Sequence, residues 1–163
     1  IAPESTDIDR SKASVPFATP AGLTAPLFLK WLHVFEDPVE HILWLARATP
    51  RVWLSHGQTI SVDAVPTAYG QLSFSLVSTI DTSATVCANI SLSARLLSRP
   101  PPGGIRLRLR VPGPGLQLTR ATVGGVVWAA INASDASIRF DAAAITASGL
   151  HMQSIVATFV TRV

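Results

Sequence analysis

The sequence predicts a mainly β chain: an antiparallel β-sandwich preceded by one or two N-terminal helices. Three observations predict it. From Gln58 onward, apolar and polar residues alternate in one run after another. Pro and Gly clusters separate those runs, as turns separate the strands of a sandwich. Before Gln58, apolar residues recur instead at helical spacing.

Taken in order, residues 1–20 are polar, contain prolines and lack a period, so they read as an extended arm or linker. Residues 21–47 read as a helical segment. Leu27, Trp31, Val34 and Phe35 fall at i, i+4, i+7 and i+8 and form one apolar stripe. Thr24 is placed to cap this helix, with Pro26 in its first turn. Pro38 ends it at Asp37 or before. A second segment follows, in which Leu43 to Ala46 fits a helix end or a buried strand equally well. Residues 48–163 form the sandwich. Its expected strands are QTISV (58–62), QLSFSL (71–76), TVCANISLSARL (85–96), IRLRLRV (105–111), a hairpin around Gly124-Gly125, SIRFD (137–141) and SIVATFVTRV (154–163). The connector SRPPPGG joins two of them.

Composition narrows the function classes. The 163 residues are 48% hydrophobic and 14% charged. A free-standing domain usually carries about 25% charged residues, so part of this surface is expected to be covered by a partner. The net charge is +3, and Lys12 and Lys30 are the only lysines. The arginines are spread along the chain rather than massed on one face, which argues against nucleic acid. No apolar run reaches the ~20 residues of a membrane-spanning helix. The single cysteine, Cys87, permits no internal disulfide and reads as a small apolar filler. No signal core opens the chain, and whether Ile1 arises by proteolysis stays open. Asn89-Ile-Ser91 and Asn132-Ala-Ser134 are N-glycosylation acceptor patterns, which favour a secreted or extracellular glycoprotein.

Residues able to do chemistry are few. Glu36, Asp37 and Glu40 form the one acidic cluster, at an expected helix end. Asp63 lies at a strand end before Tyr69, where it could line a sugar cleft. Asp135 and Asp141 read as turn residues. His33, His41, His56 and His151 are scattered, and no pair has metal-ligand spacing with a third ligand. PPPGG precedes a strand rather than opening a helix, so it is no phosphate loop. No metal or cofactor is expected. Arg106, Arg108 and Arg110 share one strand face, suited to a solvated sheet or to docking on an acidic partner or an anionic sugar. Trp44 and Trp53 are broad apolar plates at the border between helix and sandwich.

The order of the motifs at that border carries a resemblance. Leu43 to Leu45 read LWL, Ala48 to Arg51 read ATPR, and Trp53 to Gly57 read WLSHG. Pro66 to Gly70 read PTAYG, Arg99 to Arg110 a Pro-rich connector and an Arg strand, and Val123 to Trp128 a Val-x-Gly-x-x-Trp hairpin. Val65 interrupts an Ala-Pro pair, and Gly124 stands where Asn is more usual. In this order, from about Trp31 to Phe159, the chain resembles the C-terminal region of six-hairpin (α/α)6 glycosidase-like proteins. The resemblance implies a β-sandwich following a helical barrel that carries the catalytic carboxylates, with no catalytic residue in this chain.

The expected function is therefore a non-catalytic β-sandwich portion of a glycoside-hydrolase-like protein, buttressing a helical barrel from another chain or from a missing N-terminal domain. Trp31, Phe35, Trp44, Arg106, Arg108 and Arg110 are the candidates for docking. A stand-alone carbohydrate-binding module is the alternative, with Trp53, Asp63, Tyr69 and Trp128 as sugar contacts. A structural subunit of an extracellular assembly is a third reading.

Overall fold

The computed structural model describes residues 19–113, 115–148 and 153–161. The expected arm over residues 1–20 and His151 lie outside these, except for Thr19 and Pro20. The chain begins with helix α1 (Thr19–His33), then strands β1 (Val34–Glu36) and β2 (Leu43–Leu45) and a 3-10 turn at Arg51–Leu54. Next come β3 (Thr59–Pro66), β4 (Gln71–Thr79), the short helix α2 (Ile80–Ser83), β5 (Thr85–Leu92) and α3 (Ala94–Ser98). The remainder is β6 (Ile105–Arg108), β7 (Leu116–Val123), β8 (Val126–Trp128), β9 (Ile131–Asn132), β10 (Ser137–Phe140), α4 (Ala142–Ser148) and β11 (Gln153–Thr161). The predicted class is therefore observed: a mainly β chain with a helix before it.

The strands form two sheets, ordered β1-β2-β6-β10-β9 and β3-β4-β5-β11-β7-β8. All described pairings are antiparallel except β2 with β6. Alternation along each strand gives every sheet one apolar face. Leu43, Leu45, Ile105, Leu107, Ile138 and Phe140 of the first sheet are buried in the same core as Leu72, Phe74, Leu76, Ala88, Ile90 and Phe159 of the second. β11 enters its sheet between β5 and β7, so the last described strand closes the larger sheet.

Three local departures have physical causes. First, residues 34–36, expected to continue the helix, form a strand, and residues 43–45, which fitted a helix end or a buried strand, form the buried strand. Asp37 Oδ1 accepts the amides of Val39 and Glu40, making a turn at Pro38 that folds LWL back beside VFE. Three-residue strands are too short to show a period of two. Second, α1 starts at Thr19, not Thr24, so Pro26 lies inside it. Third, the alternating run from Thr85 stops being a strand at Leu92. The Ser93 side chain accepts the Leu96 amide and caps α3 instead. Asp141, read as a turn residue, likewise caps α4 through the Ala144 amide.

The motifs behind the family resemblance sit at joints between elements. Ala46, Ala48 and Thr49 donate amides or a hydroxyl to the carbonyls of His33 and Leu32, tying down the end of α1. In PTAYG, Thr67 Oγ1 accepts the amides of Tyr69 and Gly70 and closes the β3–β4 turn. Glu36 of the other sheet accepts the Ala68 amide at 2.8 Å. Trp128 Nε1 donates to the Arg139 carbonyl and its ring tilts over Phe140, stitching β8 to β10.

Candidate partner-docking face

Helix α1 leaves the body of the fold, and its side chains are exposed from Thr24 to Leu29. Leu27, Phe28, Leu29 and Trp31 are 42%, 56%, 53% and 40% exposed. Successive helix positions are about 100° apart, so Leu27, Phe28 and Leu29 spread apolar surface over more than half the circumference. A soluble surface helix normally keeps one polar face. This one has only Thr24 and Lys30 to offer between Thr24 and Trp31, and Lys30 is engaged with Glu36 at 3.2 Å. The expected stripe of Leu27, Trp31, Val34 and Phe35 is not continuous. Val34 turns into the core, while Leu27 and Trp31 stay exposed.

The exposed apolar surface continues onto the outer face of the five-stranded sheet. Phe28 meets Trp31 edge-on at 5.6 Å, and Trp31 meets Phe35 at 6.4 Å. Phe35, Trp44, Arg106 and Arg139 are cross-strand neighbours in one row. Arg47 lies over Phe35 and Trp44 at 4.5 and 5.2 Å, and Arg106 over Trp44 at 5.1 Å. Such stacks contribute more where water is excluded. The acidic cluster serves these cations. Asp37 approaches Arg47 at 3.9 Å and Glu40 approaches Arg106 at 3.8 Å. The Glu40 and Val39 amides, followed by Arg47 and Arg106, hold the Asp37 carboxyl below the usual carboxylate range. The cluster thus belongs to β1 and its turn, not to a helix end.

The structure brings together four of the six expected docking residues: Trp31, Phe35, Trp44 and Arg106. Trp44 is only 9% exposed, because Arg47 and Arg106 already cover it. Arg108 is turned into the chain, donating to the carbonyls of Asp135 and Arg47. Arg108 and Arg110 both line a hollow that includes none of these aromatics. The residues missed were Phe28 and Arg47. The Phe28–Trp31 spacing of three was a legible signal. Arg47 gave none.

The expected sugar contacts do not converge. Asp63 is on β3 and Trp128 on β8, which are opposite edges of the six-stranded sheet. Five strand spacings separate them, roughly 24 Å. Asp63 accepts a hydrogen bond from Ser73 Oγ at 2.7 Å, at a register shift between Val62 and Val65. Tyr69 packs against the core. Trp53 stacks on His33 at 5.7 Å. Asn89 is exposed on the outer face of β5, opposite Ser75 and Ser154. Asn132 is exposed, and its Oδ1 accepts from the Ser134 amide and hydroxyl.

His33 makes this face sensitive to acid. Burial lowers its pKa from the ordinary value, and its buried Nδ1 has no hydrogen-bond partner. The imidazolium is then less favourable folded than unfolded. Its stability contribution is whole above the unfolded value of about 6.5 and is lost as pH falls toward the depressed folded value. Melting temperature should therefore fall between pH 7 and pH 5. His33→Phe, which keeps the stack on Trp53, should flatten that fall, as thermal denaturation across the pH range would show.

No protein-family model matches the chain, and no curated protein matches it. A solved structure that aligns with it is a GH127 β-L-arabinofuranosidase from Geobacillus stearothermophilus T6. The TM-score is 0.39 at 14% identity, over 84% of this chain and 19% of that one. The chain thus spans less than a fifth of that enzyme's length.

Proposed function

We propose that this chain is the non-catalytic β-sandwich portion of a glycoside-hydrolase-like protein, and that α1 seats it against a helical barrel carrying the catalytic carboxylates. The carrying observation is α1 itself: apolar around most of its circumference, exposed, and continuous with the Phe35–Trp44 face. A helix of that kind is stable in water only when something covers it. The ordered motifs from Leu43 to Trp128 point to a helical barrel as the cover. They fix joints of the sandwich, which is the role expected of them if the chemistry lies elsewhere. Within this proposal the location is extracellular, and the exposed Asn89 and Asn132 are the positions for glycans. The carbohydrate-module alternative is weaker, because Trp53, Asp63, Tyr69 and Trp128 share no cleft.

Native mass spectrometry with hydrogen exchange tests the reading on material from the source. The expected result is a helical barrel in the same particle, covalently continuous or not, with slow exchange over residues 24–33. Rapid exchange over those residues in a monodisperse 163-residue monomer would overturn it.

A further inference from the structure

We propose that a hollow of about 200 Å³ between the start of the 3-10 turn, the end of β6 and the β9–β10 turn binds a compact oxyanion, a carboxylate or phosphate group. The inference is independent of the docking reading. Arg51, Arg108 and Arg110 line the hollow together with Gln117, Ser134 and Asp135. Three cations thus face one carboxylate, and that carboxylate is already held by the Ser137 amide at 3.1 Å. Among the described residues, none of the three arginines is in an ion pair.

Each guanidinium has five N–H donors, and the fold engages few of them. Arg51 Nη1 donates to the Val111 carbonyl at 2.9 Å. Arg108 donates from Nε to the Asp135 carbonyl at 3.0 Å and from Nη1 to the Arg47 carbonyl at 3.4 Å. These carbonyl contacts orient two planar forks without neutralising them. Arg110 Nε is buried with no partner. A buried donor left unmade is costly, and like charges lining one hollow repel one another. A planar or tetrahedral oxyanion relieves both, since it accepts two parallel N–H bonds from an arginine fork. The space holds several waters, enough for one phosphate or one sugar acid.

The test is thermal denaturation of the 163-residue chain in sodium phosphate, sodium sulfate, sodium glucuronate or glucose, each against sodium chloride at matched ionic strength. Phosphate, sulfate or glucuronate is expected to raise the melting temperature by about 3–6 °C at tenfold saturation. A larger shift with glucuronate identifies a sugar acid as the source. Phosphate and sulfate also stabilise proteins by exclusion from the surface, so only a larger shift with them that the Arg110→Met variant lacks identifies a tetrahedral oxyanion. No shift beyond chloride overturns the site. Arg110→Met removes the unpartnered Nε, so the variant should melt within about 2 °C of the parent in chloride. It should lose the anion shift and bind at least about tenfold more weakly. If the Arg110→Met variant keeps the full shift, the proposal is likewise overturned. Should that variant not fold, arginine Nε–H resonances of the parent supply the reading. A phosphate titration should move a few of the chain's 11 arginine signals and leave the rest in place; a uniform drift counts against the site.

Discussion

Gly104→Ala should cost about 2–5 kcal/mol of stability, a large part of the roughly 5–15 kcal/mol that typical domains possess. Gly104 has φ +77°, and a Cβ there would run into the Phe140 carbonyl oxygen and lie 3.0 Å from Asp141 Cα. Those atoms are backbone and cannot rotate away. The site also joins three strands. The Gly104 carbonyl accepts the Leu43 amide at 3.0 Å, and Gly104 N donates to the Pro101 carbonyl at 2.8 Å. The parallel β2–β6 register and the β6–β10 pairing both start beside it. Gly57 is the control. Its φ is +73°, but nothing lies within 4 Å of its Cβ position. Gly57→Ala should therefore lose only the conformational part, about 1–2 kcal/mol. Urea denaturation of both variants checks this. Equal losses would show that close approach at Gly104 contributes nothing.

The same residues explain what the sequence disclosed and what it hid. The sandwich strands were legible wherever alternation ran longer than a turn of chain, as in QLSFSL. In IRLRLRV the burial alternates through Val111, although regular pairing ends at Arg108. The first sheet's edge was not legible. VFE and LWL are three residues each, and their strand character comes from pairing with each other and with β6, which is distant in sequence. Ser93 and Asp141 are capping residues, yet a lone Ser inside an alternating run gives no sign of which role it takes.

The candidate face was half legible for a similar reason. Aromatic residues at helical spacing marked Trp31 and Phe35. Arg106 reaches Trp44 from a distant part of the chain, so that stacking is a property of the fold alone, while Arg47 lies three residues on in sequence. The three strand arginines read as one patch, but the structure divides them. Arg106 stays with the aromatic face, while Arg108, held by backbone carbonyls, and Arg110 line one hollow with Arg51, which no strand pattern links to them.

If α1 seats this chain on a helical barrel as proposed, Leu27→Asp combined with Leu29→Asp should abolish that association. Interface anchors of this type are worth ~2 kcal/mol or more apiece. Burying two unpaired carboxylates adds to the loss, so affinity should fall by at least about a thousandfold. The isolated chain should hardly change. Both side chains are more than two-fifths exposed, and an Asp in a helix interior costs only about 0.7 kcal/mol. The two halves of this expectation separate the roles open to α1. If the variant melts well below the parent, α1 supports the sandwich and its exposure is no sign of a partner. If it keeps both its melting temperature and its partner, the contact runs through the Phe35–Arg106 face instead. If it converts a homodimer of the parent into monomers, a second copy covers the helix and the barrel reading fails. Only a well-folded chain that has lost its helical partner agrees with an apolar helix left uncovered by its own fold.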